Sequence, residues 1–178
     1  MRYLTVILLM LAAGTSFALA QNKTGKEQIA PLYTQVNESL AKGDTTTAHL
    51  TLMQLLKLDK PNRSDIYIAL GRIAEERRDT NSAETYYKQA IKNNKKSHRA
   101  YYSLGSLYYN QAIDILNYTE LICVSAPELY TAETGKAVEF LKKALPNLVK
   151  GFQLSGNEEI YQPALETVQQ IIANHAGK

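Results

Sequence analysis

Three histidines, one cysteine and a scatter of tyrosines and carboxylates are the side chains of this chain that could do chemistry. Their spacing decides whether they can act together. His49, His98 and His175 stand far apart and fall in different elements. None has a cysteine or carboxylate beside it at the spacing of a metal site, such as H-x-x-x-H or C-x-x-C, so no metal centre is expected. Cys123 has no second cysteine to pair with. A small buried thiol is its expected state, and the alternative is pairing with another chain. There is no G-x-S-x-G, no phosphate-binding loop and no recognisable pair of catalytic carboxylates. No catalytic residue and no cofactor is therefore expected. Tyr118, Glu120, Tyr130 and Glu133 are the one local group from which an enzyme site or small-ligand pocket could be built. They would need a deep cavity on which their polar ends converge. Arg72 and Glu76, at i and i+4, read as an ordinary surface pair on a helix. Asn22-Lys23-Thr24, Asn37-Glu38-Ser39, Asn62-Arg63-Ser64 and Asn117-Tyr118-Thr119 fit the glycosylation acceptor pattern, which matters only in a host that glycosylates its exported proteins.

The start of the chain points to export. Arg2 precedes an apolar run from Leu4 to Ala13, and Ala18-Leu19-Ala20 fits a cleavage site. The run is about half of the ~20 residues that a membrane-spanning helix needs. Residues 1–20 read as a signal peptide, with a mature chain from Gln21 to Lys178 in the periplasm or outside the cell. Gln21 rather than cysteine follows the cut, so no N-terminal lipid anchor is expected, and no integral membrane span remains after cleavage. Removing Arg2 lowers the net charge from +3 to +2. The only dense basic run is Lys92, Lys95, Lys96 and Arg99, at the expected end of a helix, where cations suit the helix dipole. No continuous basic face appears, so no nucleic-acid partner is expected.

The elements that must position these residues are helices. Thr24 and Glu27 fit a capping box, followed by Ile29, Leu32, Tyr33, Val36 and Leu40 at helical spacing. Pro31 implies a kink or a true start near residue 30. Gly43-Asp44 ends this helix. A second carries Ala48, Leu52, Leu55 and Leu56 and stops near Pro61. A third spans about 64–78, a fourth about 81–93, and a fifth starts near Ser97 and overruns to about Tyr118. A loop over about 119–131 follows, then a long helix over about 133–154 with a bend at Pro146. Asn157 fits the cap of a last helix, whose stripe of Tyr161, Leu165, Val168, Ile171 and Ile172 backs a polar face of Glu166, Gln169, Gln170 and Asn174.

One pattern recurs. Tyr67-x-x-Leu70-Gly71 is echoed one period later by Tyr101-x-x-Leu104-Gly105-x-x-Tyr108, with Ala83-x-x-x-Tyr87-x-x-Ala90 between them. These residues resemble the tetratricopeptide-repeat (TPR) family, whose unit is a helix–turn–helix of about 34 residues that stacks on its copies. The step from Tyr67 to Tyr101, and from Gly71 to Gly105, matches that length. The likeness is strongest from Ser64 to Tyr108. The first unit is weaker, with Asn37 in place of the glycine, and its second half slips by one position. The third is split by about 27 extra residues, measured against the family period, if Ala144, Leu148 and Gly151 resume the pattern. A second phase would use Ala137, Leu141 and Ala144. The fold class expected is all-α: about three antiparallel helix-pair repeats, the third with an extended helical hairpin, plus a C-terminal capping helix. Residues 21–178 form this domain, with an insert at about 112–143.

The resemblance implies a binding scaffold with a concave groove lined by the first helix of each unit. The groove positions map to Ile68, Arg72, Glu76, Arg99, Tyr102, Ser106, Tyr109 and Asn110. Arginine and tyrosine suit binding hot spots. The family's Lys/Asn clamp for a C-terminal carboxylate is not reproduced. A protein or peptide partner is implied. In the insert, Leu121, Ile122, Cys123 and Val124 are expected to fold back onto the domain, or else to contact a second subunit in a homo-oligomer.

Overall fold

The computed structural model describes residues 25–175. Seven helices and no strand occur among the described residues. The expected leader at 1–20, the Asn22-Lys23-Thr24 acceptor pattern and the expected Thr24 cap lie outside them. The described chain forms two compact units, divided between Lys60 and Pro61.

The first unit is one helix pair, α1 (Gly25–Ala41) and α2 (Thr45–Leu58). Helix α1 carries Pro31 inside it and so does not begin near residue 30. Gly43 turns the chain with φ +72°, a left-handed conformation that glycine adopts without steric cost. Asp44 then caps α2, accepting from the Thr47 N–H at 2.9 Å. Val36 on α1 and Ala48, Leu52 and Leu55 on α2 are buried. The Tyr33 hydroxyl donates to Asp59 at 2.9 Å and ties α1 to the C-terminal end of α2.

The second unit holds α3 (Arg63–Glu76), α4 (Thr80–Asn93), α5 (His98–Ile122), α6 (Pro127–Ser155) and α7 (Glu158–His175). Helices α3 and α4 pair, α5 and α6 pair, α5 packs on both members of the earlier pair, and α7 lies on α6. The α3–α4 turn repeats the α1–α2 turn. Asp79 caps α4 by accepting from Ser82, as Asp44 does for Thr47, and Arg78 takes the left-handed conformation that Gly43 takes. Asn157 accepts from the Ile160 N–H at 3.3 Å and so caps α7, as its position predicts.

Close approach at glycine sets the helix pairing. A Cβ on Gly71 would overlap the ring of Tyr87, which is fully buried. A Cβ on Gly105 would lie 2.8 Å from Leu148 Cγ and Cδ2. Leu148 therefore stands to Gly105 as Tyr87 stands to Gly71. That fixes the phase of the third unit at Ala144, Leu148 and Gly151. The contact joins position 71 to 87 in one pair and 105 to 148 in the other, and the wider gap of the second is the insert. Ala137 and Leu141 of the other phase are buried too, because α6 keeps one apolar face along α5 and α7.

The insert differs from expectation at its tip. No loop runs over 119–131: α5 continues to Ile122, only 123–126 break the helices, and α6 starts at Pro127. No glycine or proline interrupts residues 106–126, so nothing stops α5 earlier. Pro127 starts a helix because its missing N–H would be unbonded at that position anyway. The apolar tip does not fold back. Leu121 and Val124 are 80% and 92% exposed, and the Cys123 thiol is exposed rather than buried. The tip lies past the face that α5 and α6 share.

Gly71→Ala should be destabilising although alanine is the better helix former. The gain of about 1 kcal/mol in propensity is outweighed by overpacking worth roughly 1–3 kcal/mol against a buried ring. Urea unfolding should show a net loss of about 1 kcal/mol, the middle of that difference; unchanged stability would mean that the ring moves aside freely.

Candidate functional site

Positions one repeat apart stand side by side on α3 and α5. Asp65 and Arg99 show this directly, with Arg99 Nη1 at 3.3 Å from Asp65 Oδ1. By the same register Ile68 faces Tyr102, and Arg72 faces Ser106. These four residues, with Glu75, Tyr87, His98, Arg99, Ser103, Ile160 and Tyr161, line a cleft of about 400 Å³ within the second unit. On α5 the lining residues Arg99, Tyr102, Ser103 and Ser106 follow i, i+3, i+4, i+7, which is one helix face.

Five of the eight expected groove residues therefore come together: Ile68, Arg72, Arg99, Tyr102 and Ser106. Glu76, Tyr109 and Asn110 do not line the cleft. Tyr109 and Asn110 lie a turn beyond Ser106, and Tyr109 is half-buried against the core instead. On α3 Glu75, not Glu76, enters the site. No ion pair joins Arg72 to Glu76 among the described residues. Arg72 is exposed, and its charge faces the cleft rather than a carboxylate one turn along.

A buried polar frame supports the walls. The Tyr87 hydroxyl donates to Glu75 Oε1. Burial first, and then the Glu75 carboxylate, push that hydroxyl far above the ordinary phenol range, so it remains a donor. Tyr161 closes the other side. Its hydroxyl donates to the His98 carbonyl at 3.1 Å, with His98 Nδ1 at 3.4 Å. Its ring meets the Tyr102 ring edge-on at 5.2 Å between centroids. A Cβ on Gly151 would come within 2.6 Å of that ring, so this glycine lets α7 settle onto α6. Burial also raises the Tyr161 hydroxyl, which keeps it protonated.

The sequence marks Tyr161 only as one member of an apolar stripe. Its role depends on α7 returning to the N-terminal end of α5, far back along the chain. His98 enters the site through the same contact. Among the described residues no group of three or more His, Cys, Asp or Glu could hold a metal ion. Tyr118 and Glu120 are exposed on the hairpin, and Glu133 binds Lys136 at 2.6 Å. None of them, nor Tyr130, lines the cleft. Three acceptor sequences lie in the described chain, and their hydroxyl residues Ser39, Ser64 and Thr119 are all buried. No described helix is long and apolar enough to cross a membrane.

No protein-family model matches the chain, and no curated protein matches it. Solved structures do. A TPR-repeat protein from Bacteroides fragilis superimposes with a TM-score of 0.60 at 25% identity, over 77% of this chain and 65% of that one. This chain thus spans less than two thirds of the Bacteroides protein. The C-terminal TPR-containing domain of a Plasmodium falciparum protein named for FK506 binding gives 0.58 at 16% identity, over 88% of this chain and 98% of that one. The chain has the tetratricopeptide-repeat fold, as its repeated residues imply.

Tyr161→Phe keeps the ring on Gly151 but removes the bond to His98. The expected loss is about 1 kcal/mol in urea unfolding, as for a typical intramolecular hydrogen bond. Faster amide exchange in α7 should accompany it. No change in either would show that packing alone holds α7.

Proposed function

We propose that this protein is a non-catalytic scaffold of the bacterial cell envelope or exterior that binds a protein or peptide in the α3–α5–α7 cleft. One observation carries the reading. A rigid cleft in a repeat fold presents exposed Arg72 and Tyr102 beside Ile68 and Ile160. Arginine and tyrosine at the centre of such a surface are the residues that dominate binding energy. The wall behind them is held by the Tyr87–Glu75 and Tyr161–His98 bonds, so little ordering remains to be done on binding. The fold supports a protein partner, since stacked helical repeats offer extended concave surfaces. Export rests on Arg2, the apolar run from Leu4 and Ala18-Leu19-Ala20.

The test is capture of a partner from native envelope by the chain beginning at Gln21. Arg72→Ala and Tyr102→Ala should each weaken binding about tenfold or more, as hot-spot truncations do. Glu76→Ala and Asn110→Ala, outside the cleft, should leave it unchanged. Full capture by the Arg72→Ala/Tyr102→Ala double variant would remove the cleft as the binding surface.

The exposed tip supports a second reading, self-association through the hairpin. Leu121 and Val124 stand almost free in solvent, with Tyr118 and Leu129 exposed nearby. Contiguous exposed apolar side chains mark contact surfaces. Light scattering under reducing conditions should then give a dimer mass that Leu121→Ser/Val124→Ser returns to monomer. A monomer at high concentration before any substitution would exclude it.

A further inference from the structure

Two surfaces of the second unit complement each other and lie too far apart to meet within one chain. The first is the hairpin tip. Leu121 and Val124 are its most exposed large apolar side chains. Glu120 and Glu128 flank them, both exposed and without an ion pair among the described residues. Between Gln111 and Gly135 the chain carries Asp114, Glu120, Glu128 and Glu133 and no lysine or arginine. Of these carboxylates Glu133 has a cation, Lys136. The second surface is the α3–α5–α7 cleft. Its exposed apolar side chains are Ile160 and Tyr102, and its guanidinium groups are those of Arg72 and Arg99. Arg99 lies beside Asp65 in an exposed pair. Arg72 is exposed and makes no ion pair among the described residues. Glu75, the carboxylate of the lining, already accepts from the Tyr87 hydroxyl. Glu158 and Glu159 precede Ile160 but do not line the cleft. The lining thus carries more positive charge than negative.

The tip does not reach the cleft of its own chain. Helix α5 runs unbroken from His98 to Ile122. Arg99 and Leu121 are therefore about 33 Å apart along it, at the rise of an α-helix. A second copy has no such limit. We infer that the hairpin tip of one copy docks into the α3–α5–α7 cleft of the next, with Leu121 and Val124 against Ile160 and Tyr102 and the tip carboxylates against Arg72. This rests on the cleft being a protein-binding surface, and it names the occupant. Docking takes Leu121 and Val124 out of water, which favours association. Charge selects the arrangement. Tip on tip would bring Glu120 and Glu128 of both copies together with no cation between them, whereas the cleft supplies one. A contact of a few side chains belongs to the weak, transient class. It joins unlike surfaces, so copies assemble head to tail, as rings or open chains.

The test uses the chain beginning at Gln21 under reducing conditions, so that the exposed Cys123 thiol adds no covalent link. Sedimentation equilibrium up to millimolar chain should give a mass that rises with concentration above that of the monomer. Two variants each remove one surface and change only exposed residues: Leu121→Ser/Val124→Ser at the tip and Arg72→Glu/Ile160→Ser in the cleft. Each alone should associate about tenfold more weakly or less still, as hot-spot losses do, with its circular dichroism unchanged. Mixed in equal amounts, the two should recover a heterodimer and nothing larger, because the cleft variant keeps its tip and the tip variant keeps its cleft. A parent chain that stays monomeric, undiminished association of either variant, or a mixture that stays monomeric would each overturn the proposal. None of these results removes the cleft as a protein-binding surface; that reading falls when envelope capture survives Arg72→Ala/Tyr102→Ala.

Discussion

The tightest constraint in this structure is the approach of one helix to another at a glycine. At Gly71 a tyrosine ring occupies the space of a missing Cβ, and at Gly105 a leucine does. Glycine costs a helix about 1 kcal/mol relative to alanine, so its retention at these contacts needs a packing return. The return is alignment. With each pair closed at the same place, α3 and α5 run in a register that sets each position beside its equivalent one repeat later. The Asp65–Arg99 contact reports that register. The cleft follows from it, because Ile68 and Tyr102, then Arg72 and Ser106, become neighbours only when α3 and α5 are so aligned. Gly151 applies the same device to α7, whose Tyr161 then reaches back to His98 and closes the cleft.

Much of this was legible because it is local or periodic. The repeated Tyr-x-x-Leu-Gly, the small Ala83 and Ala90, and the resumption at Ala144, Leu148 and Gly151 all follow from one repeat period, broken once by the insert. Gly43-Asp44 and Ser97 mark their turns because capping chemistry acts within a single turn of helix. The α3–α5 side of the cleft was legible for the same reason. Its third wall was not. Tyr161 and Ile160 reach the site through a contact with the distant His98, for which no periodicity speaks. Glu75 was displaced in the reading by Glu76, since a difference of one helical position is decided by where Tyr87 lies.

The hairpin tip shows a different limit. Four apolar residues in a row invite the expectation of burial, and a proline invites the expectation of a loop. Both depend on surroundings that a local pattern does not contain. Pro127 serves as a first helical residue, and Leu121 and Val124 have no neighbouring helix to cover them. The chain thus separates two roles along its length. The repeat register makes a cleft shared in principle by any two stacked units. The inserted residues make a feature of their own, an exposed apolar tip.

The register across the insert rests on the pairing of Gly105 with Leu148, and a double-mutant cycle between Gly105→Ala and Leu148→Ala measures it most directly. Alone, Gly105→Ala should destabilise, because its methyl group meets Leu148. In the Leu148→Ala background that clash is largely gone and helix propensity favours alanine, so the same change should become neutral or stabilising. The coupling should exceed about 1 kcal/mol, within the range of about 0.5–3 kcal/mol for residues in contact. Additivity of the two changes to within about 0.5 kcal/mol would show that Gly105 and Leu148 do not meet, and the third unit would lose its assigned phase.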